Sequence, residues 1–247
     1  MFKYILLGLV QGATEFLPVS SSAHLIFIEK FLNMDTASLA LPVVLHLGTV
    51  CALLVFFCKD IIKALRNTGT IFFIIVVTVI TGTIGMLGRH FFESLFSSPR
   101  YAAAALLVTG FILLATKRAR SGVRDMLGII DALILGVAQG LAIIPGISRS
   151  GITISTLIFR RIDKETCFRF SFLAGIPAIL GAALLEAGDI RVALNGQVQG
   201  FAVGFIVSFI VGLAALWLLR SIVIKAKLYY FSYYCFIVGI FILIFVK

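Results

Sequence analysis

Two short polar stretches with catalytic residue types interrupt an otherwise apolar sequence. Residues 11–24 read QGATEFLPVSSSAH, and residues 145–151 read PGISRSG. The first stretch contains a carboxylate, three serines and a histidine, a set that can generate a nucleophile, carry a proton or bind a metal ion. The second contains an arginine and two hydroxyls beside a Pro-Gly turn. An arginine together with the backbone amides of a helix N-terminus forms an anion site, for which phosphate is the natural guest.

The first stretch is predicted to be the end of one helix, a turn and the start of another helix. Gln11 and Glu15 are four residues apart and therefore share one face of a helix. Pro18 ends that helix, and the serines at 20–22 form a turn that can cap the next helix. His24 then lies in the first turn of the second helix. The simpler alternative is that the serines serve only as a cap.

The second stretch is predicted to supply the other half of the site. Pro145 and Gly146 turn the chain, and a helix that begins near Ser150 directs its first N–H groups at this turn. Arg149 adds a guanidinium, and Ser148 adds a hydroxyl. A simple capping turn is one alternative, and a buried Glu–Arg pair that only joins the two stretches is another. Because a charge inside a membrane costs about 2.5 kcal/mol or more, a functional role is favoured.

The composition is that of an integral membrane protein. Hydrophobic residues make up 61% of the 247 residues, charged residues only 13%, and the mean hydropathy is +1.13. Soluble domains are about 45–50% apolar. The net charge of +10 would indicate nucleic acid in a soluble protein. Here the basic residues cluster between apolar runs, which indicates membrane topology, so no nucleic-acid partner is predicted.

The predicted fold is all-α, with six transmembrane helices and two re-entrant helical hairpins. Segments 4–14 and 132–148 are too short or too broken to span, and irregular backbone at membrane depth must be buried in protein or line a cavity. His46 lies in the first span, where it either lines a lipid cavity or pairs with a backbone carbonyl. Six segments approach the roughly 20 apolar residues that a span needs. They are 41–58, 69–88, 101–116, 168–187, 199–219 and 229–246.

The loops and an internal repeat predict how these segments are arranged. Basic residues occupy alternate loops, which places those loops in the cytoplasm and both termini outside. LLGLVQG at 6–12 matches ILGVAQG at 134–140, an offset of 128 residues. The single membrane domain, 1–247, then divides into repeats 1–120 and 128–247. Each repeat has three spans, an odd number, so the two insert in opposite orientations, as in an inverted repeat.

The two stretches together resemble the signature of the undecaprenyl-diphosphate phosphatase family, also known as the bacitracin-resistance family. QGATEFLPVSSSAHL at 11–25 is similar to its elements E/Q-x-x-x-E and F-L-P-[IV]-S-S-[ST]-G-H, and PGISRSG to P-G-x-S-R-S-G. LHLGT at 45–49 also fits, and the resemblance covers nearly the whole chain. It implies hydrolysis of undecaprenyl diphosphate to the monophosphate at the outer face of the bacterial cytoplasmic (inner) membrane. This reaction recycles the lipid carrier for peptidoglycan synthesis.

The resemblance also implies roles for particular residues. Glu15 would bind a metal ion or act as acid or base, with Gln11 beside it in the acidic motif. Ser21 or His24 would be the nucleophile or its base, and Arg149 would hold the diphosphate. The implied cofactor is a divalent cation, Mg²⁺ or Ca²⁺. The implied partners are a polyprenyl diphosphate lipid and the bilayer, with a homodimer left open. The further residues expected to contact or support the substrate are Gln11, Ser20, Ser22, Ser148, Ser150 and His46.

Three positions depart from the family pattern. Gln11 replaces a glutamate, which removes one metal ligand, and Pro42 stands where an acidic residue is common. Ala23 stands where glycine usually precedes the histidine, and it would be strained if that position requires a positive φ but tolerated if it is helical.

Two other functions compete with this interpretation. A transporter, such as a polyprenyl-phosphate flippase, shares inverted repeats and broken helices, although transport alone requires no nucleophile. A phosphatidic-acid-type phosphatase would need a histidine downstream of Arg149. The three histidines are His24, His46 and His90, so that interpretation is disfavoured.

Overall fold

A computed structural model of the protein describes residues 1–31, 40–96, 98–120, 122–186 and 198–245. Helices dominate these residues, which confirms the all-α prediction. The described non-helical segments are turns, and one isolated bridge joins Arg124 to Ile162. The helices are α1 (Phe2–Phe16), α2 (Ser21–Phe31), α3 (Ala40–Phe56), α4 (Cys58–Leu65), α5 (Thr68–Leu87), α6 (Arg89–Leu95), α7 (Pro99–Ala115), α8 (Ile129–Leu141), α9 (Arg149–Phe159), α10 (Lys164–Glu186), α11 (Val198–Ile224) and α12 (Tyr230–Phe245).

Several of these helices have the length and composition of membrane spans. Helices α3 and α4 meet at a bend of 68° and form a fourth candidate span if they are counted together. Helix α12 is apolar but shorter, with 16 residues. The chain therefore has the helices of a multi-pass membrane protein. Three described segments are long and apolar enough to cross by themselves: Thr68–Leu87, Pro99–Arg118 and Val198–Ile224.

Both interrupted segments of the sequence form pairs of short helices joined by a tight turn. Pro18 lies in the turn between α1 and α2, and Gly146 lies in the turn between α8 and α9. Gly146 has a φ of +100°, and a Cβ there would collide with the backbone carbonyl of Ala102 in α7. Only glycine therefore allows the second turn to lie against α7.

Glycines also allow the first helix of each pair to pack closely on a long helix. Helix α1 packs on α11, and α8 packs on α5. A Cβ on Gly12 would lie 2.8 Å from the carbonyl oxygen of Ser208, and one on Gly140 would lie 2.5 Å from Cδ1 of Ile84. Small residues at such seams favour helix association in lipid, where close backbone packing replaces the hydrophobic effect. Gly12 and Gly140 are related by the same offset of 128 residues as the sequence repeat.

An aromatic core fixes the end of α1 next to the motif residues. Phe16 packs edge-on against Phe172 of α10, with ring centroids 5.8 Å apart. Phe172 also contacts Phe57 and Phe168, and all four rings are almost fully buried. Because Phe16 immediately follows Glu15, this cluster restrains the position of the Glu15 carboxylate.

One cavity lies away from the motif residues. It has a volume of about 410 Å³ and lies at the end of the bundle that carries the basic loops. Ion pairs line it: Arg220 and Arg169 both contact Glu165, and Arg169 also lies 3.7 Å from Asp60. These pairs tie α4, α10 and α11 together.

We expect Gly12→Ala to destabilise the protein, because the new methyl group must displace the backbone of α11. Overpacking of this kind costs about 1–3 kcal/mol. The measurement is the thermal unfolding midpoint of the purified protein in detergent. Gly82→Ala on α5 is the matched control, since nothing lies within 4 Å of a Cβ at that position. Equal midpoints for the two variants would contradict the close packing of α1 on α11.

Candidate active site

The two polar stretches meet inside the helix bundle through an ion pair between Glu15 and Arg149. The Nη2 atom of Arg149 lies 2.7 Å from Oε1 of Glu15, although the residues are 134 positions apart. The Glu15 side chain is 7% exposed and the Arg149 side chain is 18% exposed. Glu15 lies in the last turn of α1, and Arg149 is the first residue of α9. The ends of the two short helix pairs therefore converge on one point.

The second oxygen of Glu15 accepts three further contacts. Ser21 Oγ donates to Oε2 at 2.8 Å, and Gln11 Nε2 donates to it at 3.1 Å. His46 Nε2 lies 3.3 Å from the same oxygen. Nε2 of Gln11 also lies 3.3 Å from Nδ1 of His46. Because an amide nitrogen can only donate, Nδ1 is the acceptor, and a neutral His46 carries its proton on Nε2, facing Glu15. The Glu15 carboxylate is thus the centre of a five-residue cluster.

His46 belongs to this cluster, although its sequence context left its role open. Its side chain is 34% exposed and approaches Glu15 and Gln11. The alternative of a histidine held by a backbone carbonyl is therefore not what the structure shows. The partly exposed ring forms one wall of the polar cluster, which the α3 helix positions beside α1.

Ser21 and His24 do not form the hydrogen-bonded pair that their spacing suggests. Ser21 donates to Glu15, whereas His24 Nδ1 lies 2.8 Å from the carbonyl oxygen of Ser20. His24 Nε2 lies 2.7 Å from the hydroxyl of Tyr234 in α12. In this geometry the acceptor for the Ser21 proton is Glu15. A carboxylate that accepts from a serine hydroxyl can act as its general base.

Ser20 connects the two turns directly. Its Oγ accepts a hydrogen bond of 3.1 Å from the backbone N–H of Gly146 and lies 3.1 Å from Ser22 Oγ. Ser20 also has a φ of +65°, in the left-handed region that a serine rarely adopts. In this structure, Ser20 and Ser22 therefore support the turn.

The second turn uses most of its polar groups to hold its own shape. The backbone N–H of Ser148 donates to Thr109 Oγ1 at 3.0 Å, and that hydroxyl donates to the carbonyl of Gly146. Ser148 Oγ accepts from the N–H of Gly151 and so caps α9, and it also lies 3.3 Å from Ser150 Oγ. The stretch therefore caps α9, as the simpler alternative predicts, and it also carries Arg149. The sequence gives no signal for the role of Thr109, because one threonine in an apolar span has no distinguishing pattern.

Comparison with known proteins places this arrangement in a family. The family model described as bacitracin resistance protein BacA matches residues 4–241. The chain belongs to this family. It is 40% identical to an undecaprenyl-diphosphatase of Carboxydothermus hydrogenoformans, over 98% of this chain and 96% of that protein. It is 41% identical to an undecaprenyl-diphosphatase of Halothermothrix orenii, over 99% and 97%, and 40% identical to one of Thermotoga maritima, over 96% and 97%.

The structure accommodates two departures from the pattern of the bacitracin-resistance family. Ala23 is fully buried within α2, and the positive φ in this stretch falls on Ser20, so alanine meets no backbone strain. Pro42 lies in the first turn of α3, where the missing N–H of proline costs no helical hydrogen bond.

The cluster around Glu15 offers few ligands for a divalent cation. Among the described residues, no group of three or more His, Cys, Asp or Glu side chains is placed to bind a metal ion. Gln11 Oε1, however, is buried without a hydrogen-bond partner beside Glu15. Magnesium is commonly held by one or two carboxylates together with substrate phosphates and water. The donor set therefore fits a cation that arrives with a phosphate.

We expect Ser20→Ala to destabilise the protein by about 1–3 kcal/mol, because the buried N–H of Gly146 loses its acceptor. Thermal unfolding in detergent measures this loss. Ser22→Ala is the comparison, since the described contact of its hydroxyl is to Ser20 on the same turn. A larger loss for Ser22→Ala would show that the link between the turns is not the important contact.

Proposed function

We propose that this protein hydrolyses undecaprenyl diphosphate to undecaprenyl phosphate and inorganic phosphate, and so recycles the lipid carrier of cell-wall synthesis. Near full-length similarity to proteins named undecaprenyl-diphosphatase supports this activity. The observation that carries it in the structure is the contact of one carboxylate, Glu15, with both a hydroxyl and a guanidinium. These groups provide a nucleophile, its base and a phosphate-binding cation.

The geometry favours Ser21 as the nucleophile. Its Oγ would attack the terminal phosphorus while its proton passes to Glu15, 2.8 Å away. The anhydride bond then breaks, undecaprenyl phosphate leaves, and water hydrolyses the phosphoserine to release phosphate. Arg149 would stabilise the charge that develops on the phosphoryl oxygens. His24 is the other candidate nucleophile, but its Nε2 already contacts Tyr234.

The proposed cofactor is Mg²⁺ or Ca²⁺, with Glu15 and Gln11 Oε1 as its protein ligands. Such a cation would neutralise charge on the diphosphate oxygens. The polar cluster contains a single carboxylate, so the cation is expected to bind weakly without the substrate. The remaining substrate contacts are proposed for His46 on one side of Glu15 and for the Ser148–Ser150 turn on the other.

We also propose the complete membrane arrangement: six spans, two re-entrant helix pairs and inverted repeats at 1–120 and 128–247. The packing between the two halves supports it. Helix α1 of the first half packs on α11 of the second, and α8 of the second half packs on α5 of the first. The matching glycine seams of α1 and α8 are a second support. With basic loops in the cytoplasm, the site would open to the outer face of the inner membrane.

We expect Arg149→Ala, Glu15→Ala and His24→Ala each to lower phosphate release by about 100-fold or more. Arg149 and Glu15 would lose their proposed roles in the transition state, and His24 is the other candidate nucleophile or base. The measurement is phosphate released by purified protein from C55 and C15 diphosphates, with and without a chelator. Arg89→Ala is the control, because Arg89 is exposed and its described ion pair is with Glu93, one helical turn away. Full activity of Arg149→Ala would refute the assignment.

A flippase is the competing function, and reconstitution separates the two. We expect proteoliposomes to release phosphate from undecaprenyl diphosphate in the outer leaflet, because Ser21 and Glu15 are arranged for reaction. The measurement follows phosphate release and lipid translocation in the same vesicles. Translocation without any phosphate release would favour a transporter.

A further inference from the structure

His24 is held apart from the cluster around Glu15 by contacts on both of its ring nitrogens. Nδ1 lies 2.8 Å from the carbonyl oxygen of Ser20, and Nε2 lies 2.7 Å from the hydroxyl of Tyr234. None of the hydrogen bonds described for His24 reaches Glu15 or Ser21. The rings of His24 and Tyr234 also lie nearly parallel, with an angle of 11° between their planes and centroids 5.6 Å apart.

These contacts define the protonation of the neutral imidazole. A carbonyl oxygen can only accept, so Nδ1 of His24 carries the proton. Nε2 is then the acceptor, and the Tyr234 hydroxyl is the donor. Tyr234 thus fixes the tautomer of the histidine, and ring stacking fixes its plane.

The tyrosine hydroxyl is not needed to attach α12 to the first turn. The adjacent residue, Cys235, is fully buried, and its thiol donates to the carbonyl oxygen of Pro18 at 3.6 Å. Tyr234 itself is 43% exposed, whereas His24 is 8% exposed. The hydroxyl therefore adds little packing, and its main contact is with the buried nitrogen of the histidine.

We propose that Tyr234 is a positioning residue for the reaction, and that it acts through His24. Its hydroxyl holds Nε2 as a hydrogen-bond acceptor until a water molecule takes its place as the donor. Because Tyr234 comes from the second half of the chain and His24 from the first, the histidine is oriented only when the two halves are packed together. This role rests on the proposed phosphatase activity.

The test compares Tyr234→Phe, which keeps the ring and removes the hydroxyl, with Tyr233→Phe. Tyr233 is the exposed neighbour on the same helix. We expect kcat of Tyr234→Phe for phosphate release to fall by about 10- to 100-fold, the usual range for losing one such hydrogen bond, while KM stays within about twofold. Tyr233→Phe should keep the kcat of the wild-type protein.

A chemical readout reports on His24 without requiring activity. Diethylpyrocarbonate attacks an unprotonated imidazole nitrogen, so we expect His24 to be modified several-fold faster in Tyr234→Phe, as measured by mass spectrometry. His90, which is exposed, is the internal reference and should react equally in both proteins. On a His24→Gln background, Tyr234→Phe should cause no further loss of kcat, because its effect passes through the histidine.

Three results would overturn the proposal. One is unchanged kcat and unchanged His24 reactivity in Tyr234→Phe. Another is an equal loss of kcat on the wild-type and His24→Gln backgrounds. The third is a large fall in the unfolding midpoint of Tyr234→Phe, which would make the hydroxyl a structural contact. Failure of the proposed function would look different, since wild-type protein would then release no phosphate while the change in His24 reactivity persisted.

Discussion

The buried ion pair between Glu15 and Arg149 is the interaction on which the rest of the structure depends. A buried carboxylate in an apolar helix bundle is tolerated only when a cation and hydrogen-bond donors surround it. Here one oxygen faces the guanidinium, and the other is shared by Ser21, Gln11 and His46. Each of these partners comes from a different part of the chain or a different helical turn. The pair therefore requires the last turn of α1 and the first turn of α9 to meet at the same point inside the bundle.

That requirement explains the irregular backbone on both sides of the pair. A turn inside an apolar helix bundle leaves backbone groups without helical partners, and each must find another. Ser20 accepts from the N–H of Gly146, and Thr109 bonds both sides of the second turn. The positive φ of Ser20 and the glycine at 146 are the conformations needed to make these contacts. Glycine seams on α1 and α8 then hold the helices that carry the turns.

The same ion pair links stability to the proposed chemistry. In the free protein, Glu15 is the anion that satisfies Arg149. A diphosphate that binds Arg149 would take over that role, and the Glu15 carboxylate would be released to accept the proton of Ser21. Substrate binding and activation of the nucleophile would thus be one exchange of partners.

The sequence by itself determined the class of the protein, the helical segments and the two stretches that form the candidate site. These follow from local quantities: hydropathy over about 20 residues, residue spacing within one helical turn, and turn-forming Pro and Gly. Tertiary structure alone decided the partners. Ser21 pairs with Glu15 instead of His24, and His24 pairs with Tyr234, 210 positions away. Helix packing sets these contacts, and no local periodicity encodes which side chains two distant helices bring together.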